Sequence, residues 1–303
     1  MSVGTCRNGH SRRLLQLDKR TADFLAQRKH LLRLAYRMLG SVSEAEDAVQ
    51  DAWLRWAQAK SASDAPAAYL TRTVTRLCLD RLKSAQARRE TYIGPWLPDP
   101  LVDPVEPDEV ITDDIPFSLM LAMERLSPLE RAAFLLHDIF EVALTEVAET
   151  LGRQPAAVRQ LASRARKHIQ TARPRFSVDA AEADRIARAF FVAARDGDMA
   201  TLSMLLAEDV EIHADGGGNV LAFRNVVSGV DNALRLFASL GRKIVRPPIL
   251  LRTAMIDGLP GYLSIDEAGL PRTTALDLSE GQIVAIYIVK NPDKLAHLFA
   301  MPN

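Results

Sequence analysis

Arg159, Gln160, Ser163 and Arg164 recur at spacings that place them, with Ala156 and Ala157, on the outward face of a single predicted helix. Arginine presents a fork of donors to guanine edges and glutamine pairs with adenine, while Arg166 and Lys167 suit phosphates. The types and order therefore fit the reading of a nucleic acid duplex. Val147, Ala148, Leu151, Gly152, Val158 and Leu161 sit at helix-turn-helix spacing, and Gly152 supplies the positive φ of the turn. Gln154 and Pro155 are placed to open the second helix. A charged αα-hairpin would share this periodicity, and a repressor would share the motif.

Two further sets carry charge. Arg72, Arg76, Lys83 and Arg88 lie on a helix predicted over residues 68–89, and the first three share one side over three turns. Glu46, Asp47, Gln50 and Asp51 line the outer face of a helix whose inner face is Ala45, Ala48, Val49, Ala52, Trp53 and Trp56. Ser43 and Glu46 read as a capping box for that helix, and Ser127 and Glu130 as another, with Pro128 where a missing N–H costs nothing. His213 and Asp215 alternate along a predicted strand and face the same side. An acid–base pair needs a shared substrate and a shifted pKa, and the sequence supplies neither. Two ligands are also too few for a metal, so no enzyme activity, cofactor or metal is expected. Asp215-Gly216-Gly217-Gly218 reads instead as a tight turn where the backbone approaches something closely.

The elements that position these residues fall into blocks. Everything before Pro174 reads helical, including an apolar stripe of Leu31, Leu34, Ala35, Met38 and Leu39. Asp179 and Glu182 open a helix with Ile186, Phe190, Phe191 and Ala194 on one face, and Gly197 stops it. Strands are predicted over 210–214, 220–223 and 283–289. Six prolines in residues 94–116 make that stretch an extended linker. The net charge of zero conceals a division: residues 1–92 hold 17 basic and 9 acidic side chains, whereas 93–117 hold 7 acidic and no basic ones. Basic modules on both sides of an acidic connector suit two contacts with nucleic acid. The chain has no apolar run of membrane-spanning length and no signal-peptide pattern, and Cys6 and Cys78 form no paired framework. No membrane association and a cytoplasmic location are expected.

The order of the blocks carries a resemblance. "SEAEDAVQDAWLRW" resembles the polymerase-binding helix of region two of bacterial sigma factors. "AYLTRTVTRLCLDRLKSAQARRE" is similar to the adjoining helix that meets the minus-ten promoter element, and "LSPLERAAFLLHDIFEVALTEVAETLG" followed by "VRQLASRAR" to region four, which meets the minus-thirty-five element. The likeness covers residues 20–172 and fits the extracytoplasmic-function class. Trp96-Leu97-Pro98-Asp99-Pro100-Leu101, Asp215-Gly216-Gly217-Gly218 and Asn291-Pro292-Asp293-Lys294-Leu295 resemble motifs of its SigJ-like subgroup, which carries a C-terminal SnoaL-like domain. Asn219 stands where that subgroup often has lysine.

The resemblance implies a multidomain protein. Two all-α sigma domains are expected at 20–92 and 118–174, the second with the helix-turn-helix, joined by an acidic linker at 93–117. An α+β SnoaL-like cone enclosing a pocket follows at 178–303. Implied partners are core RNA polymerase, through Glu46, Asp47, Gln50 and Asp51, and promoter DNA. Arg72, Arg76, Lys83 and Arg88 would hold phosphates near the melted strand, and residues 60–67 a flipped base, at a cost on the order of a few kcal/mol. Gln154, Ala156, Ala157, Arg159, Gln160, Ser163, Arg164 and Arg166 would face the minus-thirty-five element. The acidic linker would thread into the basic polymerase cleft that later holds RNA. The three short motifs would form a regulatory interface biasing the sigma domains between closed and polymerase-ready arrangements. A small-molecule ligand in the cone's pocket is left open. The alternatives are a helix-turn-helix regulator with a ligand-sensing domain, and a SnoaL-like enzyme with a DNA-binding anchor.

Overall fold

The computed structural model describes residues 7–59, 65–90, 92, 94–102, 117–169, 179–218, 220, 222–241 and 246–299. They form two compact units. One runs to Gln86 and resumes at Leu126–Lys167; the other comprises Ala87–Arg125 and His168–Asn303.

The first unit is helical. α1 (Arg7–Leu39), α2 (Val42–Gln58) and α3 (Pro66–Glu90) share a core of Leu31, Leu34, Tyr36, Met38, Ala48, Trp56, Leu70 and Val74. Leu31, Leu34, Ala35, Met38 and Leu39 are all buried, so that stripe faces inward as its period requires. Trp56 donates its indole N–H to the Arg20 carbonyl at 3.1 Å and stacks 5.2 Å from Tyr69, tying α2 to both neighbours. α2 starts two residues earlier than its expected capping box allows. Ser41 is the N-cap, without a side-chain cap bond, and its hydroxyl instead meets that of Ser43 at 3.2 Å. Ser43 already lies inside the first turn, where it can no longer cap.

α5 (Pro128–Phe134) begins with the complete Ser127–Glu130 box and widens into a π turn over Leu135–Ile139. α6 (Leu144–Leu151) ends at Gly152 with φ +63°, and α7 (Pro155–Ile169) follows. Val147, Ala148, Val158, Ala162 and Ala165 are buried between them, so small residues set the close approach of the pair. Arg131, 2% exposed, donates to the Met38 carbonyl at 2.8 Å and links α5 to α1.

The second unit is α+β. α4 (Phe117–Met123) belongs to it, as do α8 (Ala180–Asp196), α9 (Met199–Leu205), α10 (Val230–Gly241) and α11 (Pro292–Phe299). Its strands are β1 (Leu206–Asp215), β2 (Val227–Ser228), β3 (Ile249–Ile256), β4 (Leu259–Ile265), β5 (Pro271–Ser279) and β6 (Gln282–Val289), in the order β2-β1-β6-β5-β4-β3. β1 runs parallel to β6, and the other pairs are antiparallel. Asp257-Gly258 and Glu280-Gly281 all have positive φ, the two-residue hairpin turn whose twist suits paired strands. α8, α9 and α10 cover one face of the sheet, which is the architecture expected of a SnoaL-like domain.

That helix-covered face carries a packed apolar cluster. Phe190 packs edge-on to Phe237 at 5.6 Å, Phe191 edge-on to Tyr262 at 5.2 Å, and Val210, Ile212, Leu276 and Ile286 complete the cluster. Residues 220–223 were expected as a strand. Val220, Ala222 and Phe223 lie outside any strand, because the Val220 amide is spent on the Gly216 carbonyl at 3.1 Å within the glycine turn. β3, β4 and β5 had no expected counterpart. Replacing Phe190, 1% exposed, by alanine leaves a cavity in this cluster and is expected to cost about 3–5 kcal/mol, read as a lower urea midpoint for the unfolding of the second unit.

Candidate functional site: two charged helix faces and a linker latch

The expected DNA- and polymerase-facing residues sit on surfaces of the first unit. Glu46, Asp47 and Gln50 are exposed on α2. Asp51 is half-buried, because Arg81 of α3 donates to its carboxylate at 2.7 Å. On α7, Ala156, Arg159, Gln160, Ser163 and Arg164 are exposed and Ala157 half-buried, with Gln154 exposed just before the helix. Arg166 is turned aside to Asp138 at 2.7 Å. Lys60–Asp64 of the expected base-capturing loop, and the side chain of Arg88, lie outside the described residues.

The cationic face of α3 is not open. Arg72 pairs with Glu149 at 3.3 Å, and Arg76 donates to the Thr150 carbonyl at 3.3 Å. Both partners belong to the last turn of α6, whose exposed carbonyls and partial negative charge attract a guanidinium. Lys83 pairs with Asp80 of its own helix, at 3.3 Å. Part of the predicted minus-ten face thus rests on the first helix of the helix-turn-helix pair.

The second unit holds a denser constellation around Asp215, which is 1% exposed at the end of β1. Its Oδ1 accepts from the Tyr92 hydroxyl at 2.5 Å and the Gly217 amide at 3.0 Å. Its Oδ2 accepts from the Leu97 amide at 2.9 Å and the Lys294 ammonium at 2.8 Å. Lys294, 7% exposed on α11, also donates to the Leu97 carbonyl and lies 4.0 Å from the Trp96 ring centroid and 5.3 Å from that of Tyr92. Two aromatic faces and two oxygens thereby replace the water that a buried ammonium loses. Burial, then the hydrogen bond to Asp215, pushes the Tyr92 phenol well above its ordinary range.

The other motif residues complete this contact. A Cβ on Gly217 would lie 2.5 Å from the Asn291 side chain, and one on Gly216 would lie 2.2 Å from the Val220 carbonyl oxygen. Gly217 and Gly218 also have positive φ, of +67° and +77°. Asn291 donates to the Tyr92 hydroxyl at 3.0 Å and caps the Asp293 amide at 3.1 Å, which sets up α11 from Pro292. Pro98, Asp99 and Pro100 are buried along the linker, and the Pro100 carbonyl meets His297 at 2.9 Å. Leu101 exchanges two bonds with Asp257, its amide donating to the carboxylate at 3.1 Å and its carbonyl accepting from the Asp257 amide at 2.7 Å. Val102 then bridges to Ile256 at the edge of β3. Leu97, Val102 and Phe117 share an apolar cluster with Leu295, Tyr287 and Val289.

His213 and Asp215 do share a face, the one away from α8–α10. Asp215 is engaged by four donors, two of them from the linker and its edge, and His213 contacts Glu211 at 3.2 Å and stacks 5.3 Å from Tyr287. The pair has no common space in which to act on a substrate. Among the described residues no group of three or more His, Cys, Asp or Glu side chains could hold a metal, and no described helix is long and apolar enough to cross a membrane. Sequence reasoning missed Tyr92, Asp257 and His297, which occur singly outside any motif.

Comparison with known proteins decides what these units are. The family Sigma-70 region 2 matches residues 24–88, and Sigma-70, region 4 matches residues 117–169. The RNA polymerase sigma factor SigJ of Mycobacterium tuberculosis is 39% identical over 293 residues, 90% of this chain and 92% of its own. This chain belongs to the extracytoplasmic-function sigma factors. Probable sigma factor SigI of the same species is 35% identical over 291 residues, 94% of this chain and 98% of its own. The crystal structure of M. tuberculosis SigJ superposes with a TM-score of 0.73 at 36% identity, over 91% of this chain and 98% of that one. The charged helices α2 and α3 and the helix-turn-helix are thus the region-two and region-four parts of a sigma factor. α4, inside the region-four match, nevertheless packs in the unit that holds the C-terminal sheet, its Phe117 ring 4.8 Å from Tyr287.

Two outcomes follow. Gly217→Ala would force its new methyl into Asn291 while demanding a strained φ, so it is expected to lower the thermal midpoint of the second unit and leave that of the helical unit unchanged. Burial, reinforced by Arg125 and opposed by Glu211, lowers the His213 pKa. The folded state therefore resists protonation there, and stability present above the unfolded value near 6.5 declines as pH falls below it. His213→Gln is expected to flatten the loss of stability between about pH 6.5 and 5, followed by chemical denaturation at each pH.

Proposed function

We propose that this sigma factor directs promoter-specific initiation and that its C-terminal domain regulates it in cis by gripping the linker. The observation that carries the reading is the buried Asp215 carboxylate, which takes two of its four donors from the linker and its edge, the Leu97 amide and the Tyr92 hydroxyl. In this reading Glu46, Asp47 and Gln50 meet a basic surface of core polymerase. Arg159, Gln160, Ser163 and Arg164 read the minus-thirty-five element, while Arg72, Arg76, Lys83 and Arg88 hold phosphates beside the melted minus-ten strand. Arg72 and Arg76 must first leave Glu149 and Thr150. An exposed ion pair such as Arg72–Glu149 is worth about 1 kcal/mol or less, so a phosphate displaces it readily.

The linker has two uses that exclude one another. Bound to Asp215, Lys294 and Asp257 it is held on the sheet; released, its carboxylates can thread the basic cleft of the polymerase. Docking of polymerase would supply the free energy that opens the grip. Removing one partner of a buried ion pair costs about 3–5 kcal/mol, enough to shift such a balance by two or more decades.

Run-off transcription with purified core polymerase tests both parts. Promoter-dependent transcript should appear only when this chain is added, and no stimulation would reject the sigma reading. Asp215→Asn and Lys294→Met should each raise transcript yield by about threefold or more, and the double variant should go no further than the stronger single one, because both break one unit. Yields indifferent to all three variants would reject regulation by the grip. Separately, Arg159→Ala and Arg164→Ala should weaken binding to the minus-thirty-five duplex, each by on the order of 1–3 kcal/mol if it reads a base. The same variant acting equally on all duplexes in gel-shift titrations would assign it to phosphate contact instead.

A further inference from the structure

α5 does not continue as an α-helix into the turn before α6. Over Leu135–Ile139 the backbone widens, and the Phe140 amide reaches back five residues to the Leu135 carbonyl at 2.9 Å. Such π turns are rare and recur at functional places, because the extra residue redirects the side chains around it. This one is fixed at both ends. Leu135 and Leu136 are buried, and the His137 ring meets the Val142 carbonyl at 3.0 Å. Phe140 lies edge-on to His30 of α1 at 4.9 Å, with the Arg37 guanidinium 5.1 Å from its ring. Glu141 then reverses the chain with φ +55°, a left-handed conformation that strains a residue with a side chain.

The turn holds Asp138 against α7. Its Oδ1 accepts from Nε of Arg166 at 2.7 Å. Among the described residues Arg166 is the only hydrogen-bond donor to that carboxylate, whose Oδ2 is buried without one. Arg166 follows Arg159 by seven positions and Ser163 by three, so the three share one exposed stripe of α7. The contact occupies one edge of the guanidinium. The side chain is still 44% exposed, and its two terminal nitrogens have no partner among the described residues. An arginine held through Nε by a fixed carboxylate loses little freedom on meeting a second anion, and its remaining fork of donors matches a phosphate.

We propose that Asp138 is a positioning residue for promoter binding, which aims the Arg166 guanidinium at a backbone phosphate beside the minus-thirty-five element. The inference rests on the reading above that the Arg159 stripe faces that element. In helix-turn-helix docking the first turns of the second helix meet base edges, and Arg166 lies about two turns beyond Arg159, where contact passes to the strand backbone. The sign of the effect separates aiming from bulk charge. Acting through charge alone, Asp138 repels DNA, so neutralising it would tighten binding. Acting by aiming Arg166, its neutralisation loosens binding although a negative charge has gone.

Fluorescence anisotropy of the full chain over a series of salt concentrations tests this. The probes are a short duplex enriched from a random pool by the wild-type chain and a scrambled duplex of the same composition. Asp138→Asn should weaken binding to both duplexes by about threefold or more and lower the slope of log K against log salt by about 1, the signature of one lost phosphate contact. Arg166→Ala should do the same, and the double variant should go no further than the stronger single one. Circular dichroism and melting curves check that Asp138→Asn stays folded. If it does not, Asp138→Glu replaces it, since it keeps the charge but moves the carboxylate, and the same fall in slope is expected. Binding by the folded Asp138 variant that is unchanged or tighter, or a slope that Arg166→Ala leaves unaltered, would overturn the proposal. Stimulation of run-off transcription by the wild type keeps the sigma reading in either case. A wild-type chain that enriches no duplex rejects the reading of the Arg159 stripe and this proposal with it.

Discussion

A carboxylate cannot stay ionised in a protein interior without donors, and Asp215 obtains four from segments far apart in sequence. This requirement organises the second unit. Tyr92 and Leu97 have to come from the linker, Gly217 from the turn after β1, and Lys294 from the last described helix. If any one withdraws, the remaining charges lose compensation in a buried site, where the loss is several-fold costlier than on the surface. Lys294 faces the same constraint, and it is met by a carbonyl, a carboxylate and two aromatic rings. The grip is therefore cooperative, which suits the held-or-released linker proposed above.

The glycines follow from the same geometry. Asn291 approaches the Gly217 backbone closely enough that no side chain fits between them, and in that position it reaches the Tyr92 hydroxyl. Asn291 also caps α11 and so sets where Lys294 points. One amide side chain thus couples turn, helix and linker. Asn219, which stands where the SigJ-like subgroup often has lysine, is not among the described residues.

Local patterns in the sequence revealed the helical unit well, because its signals are local. The apolar stripe of α1, the Ser127–Glu130 box and Gly152 at the turn each depend on residues within about one or two turns of each other. Most of the sheet was not legible. "ILLRTAMI" of β3 and "LPGYLSI" of β4 show no clean alternation, since both ends of the sheet are partly covered and β4 is buried on both faces. The three short motifs were visible as motifs, yet their pairing was not: nothing in the local sequence tells Asp215 that its partner is Lys294, 79 positions away. Tyr92 carries no periodic or motif signal at all, and its role emerges only from the fold. The inward aromatic cluster of Phe190, Phe191, Phe237 and Tyr262 likewise emerges only from the fold, since its members come from two helices and a strand.

Competition between polymerase and the C-terminal domain for one linker, as proposed above, is reported most directly by amide exchange at the contact. The Asp257 amide belongs to the C-terminal domain but is protected by the Leu101 carbonyl of the linker. In hydrogen–deuterium exchange of the free protein it should exchange slowly, and adding core RNA polymerase should make it exchange quickly while amides of the β1–β6 pairing keep their protection. An Asp257 amide that stays equally protected in the polymerase complex would contradict the account.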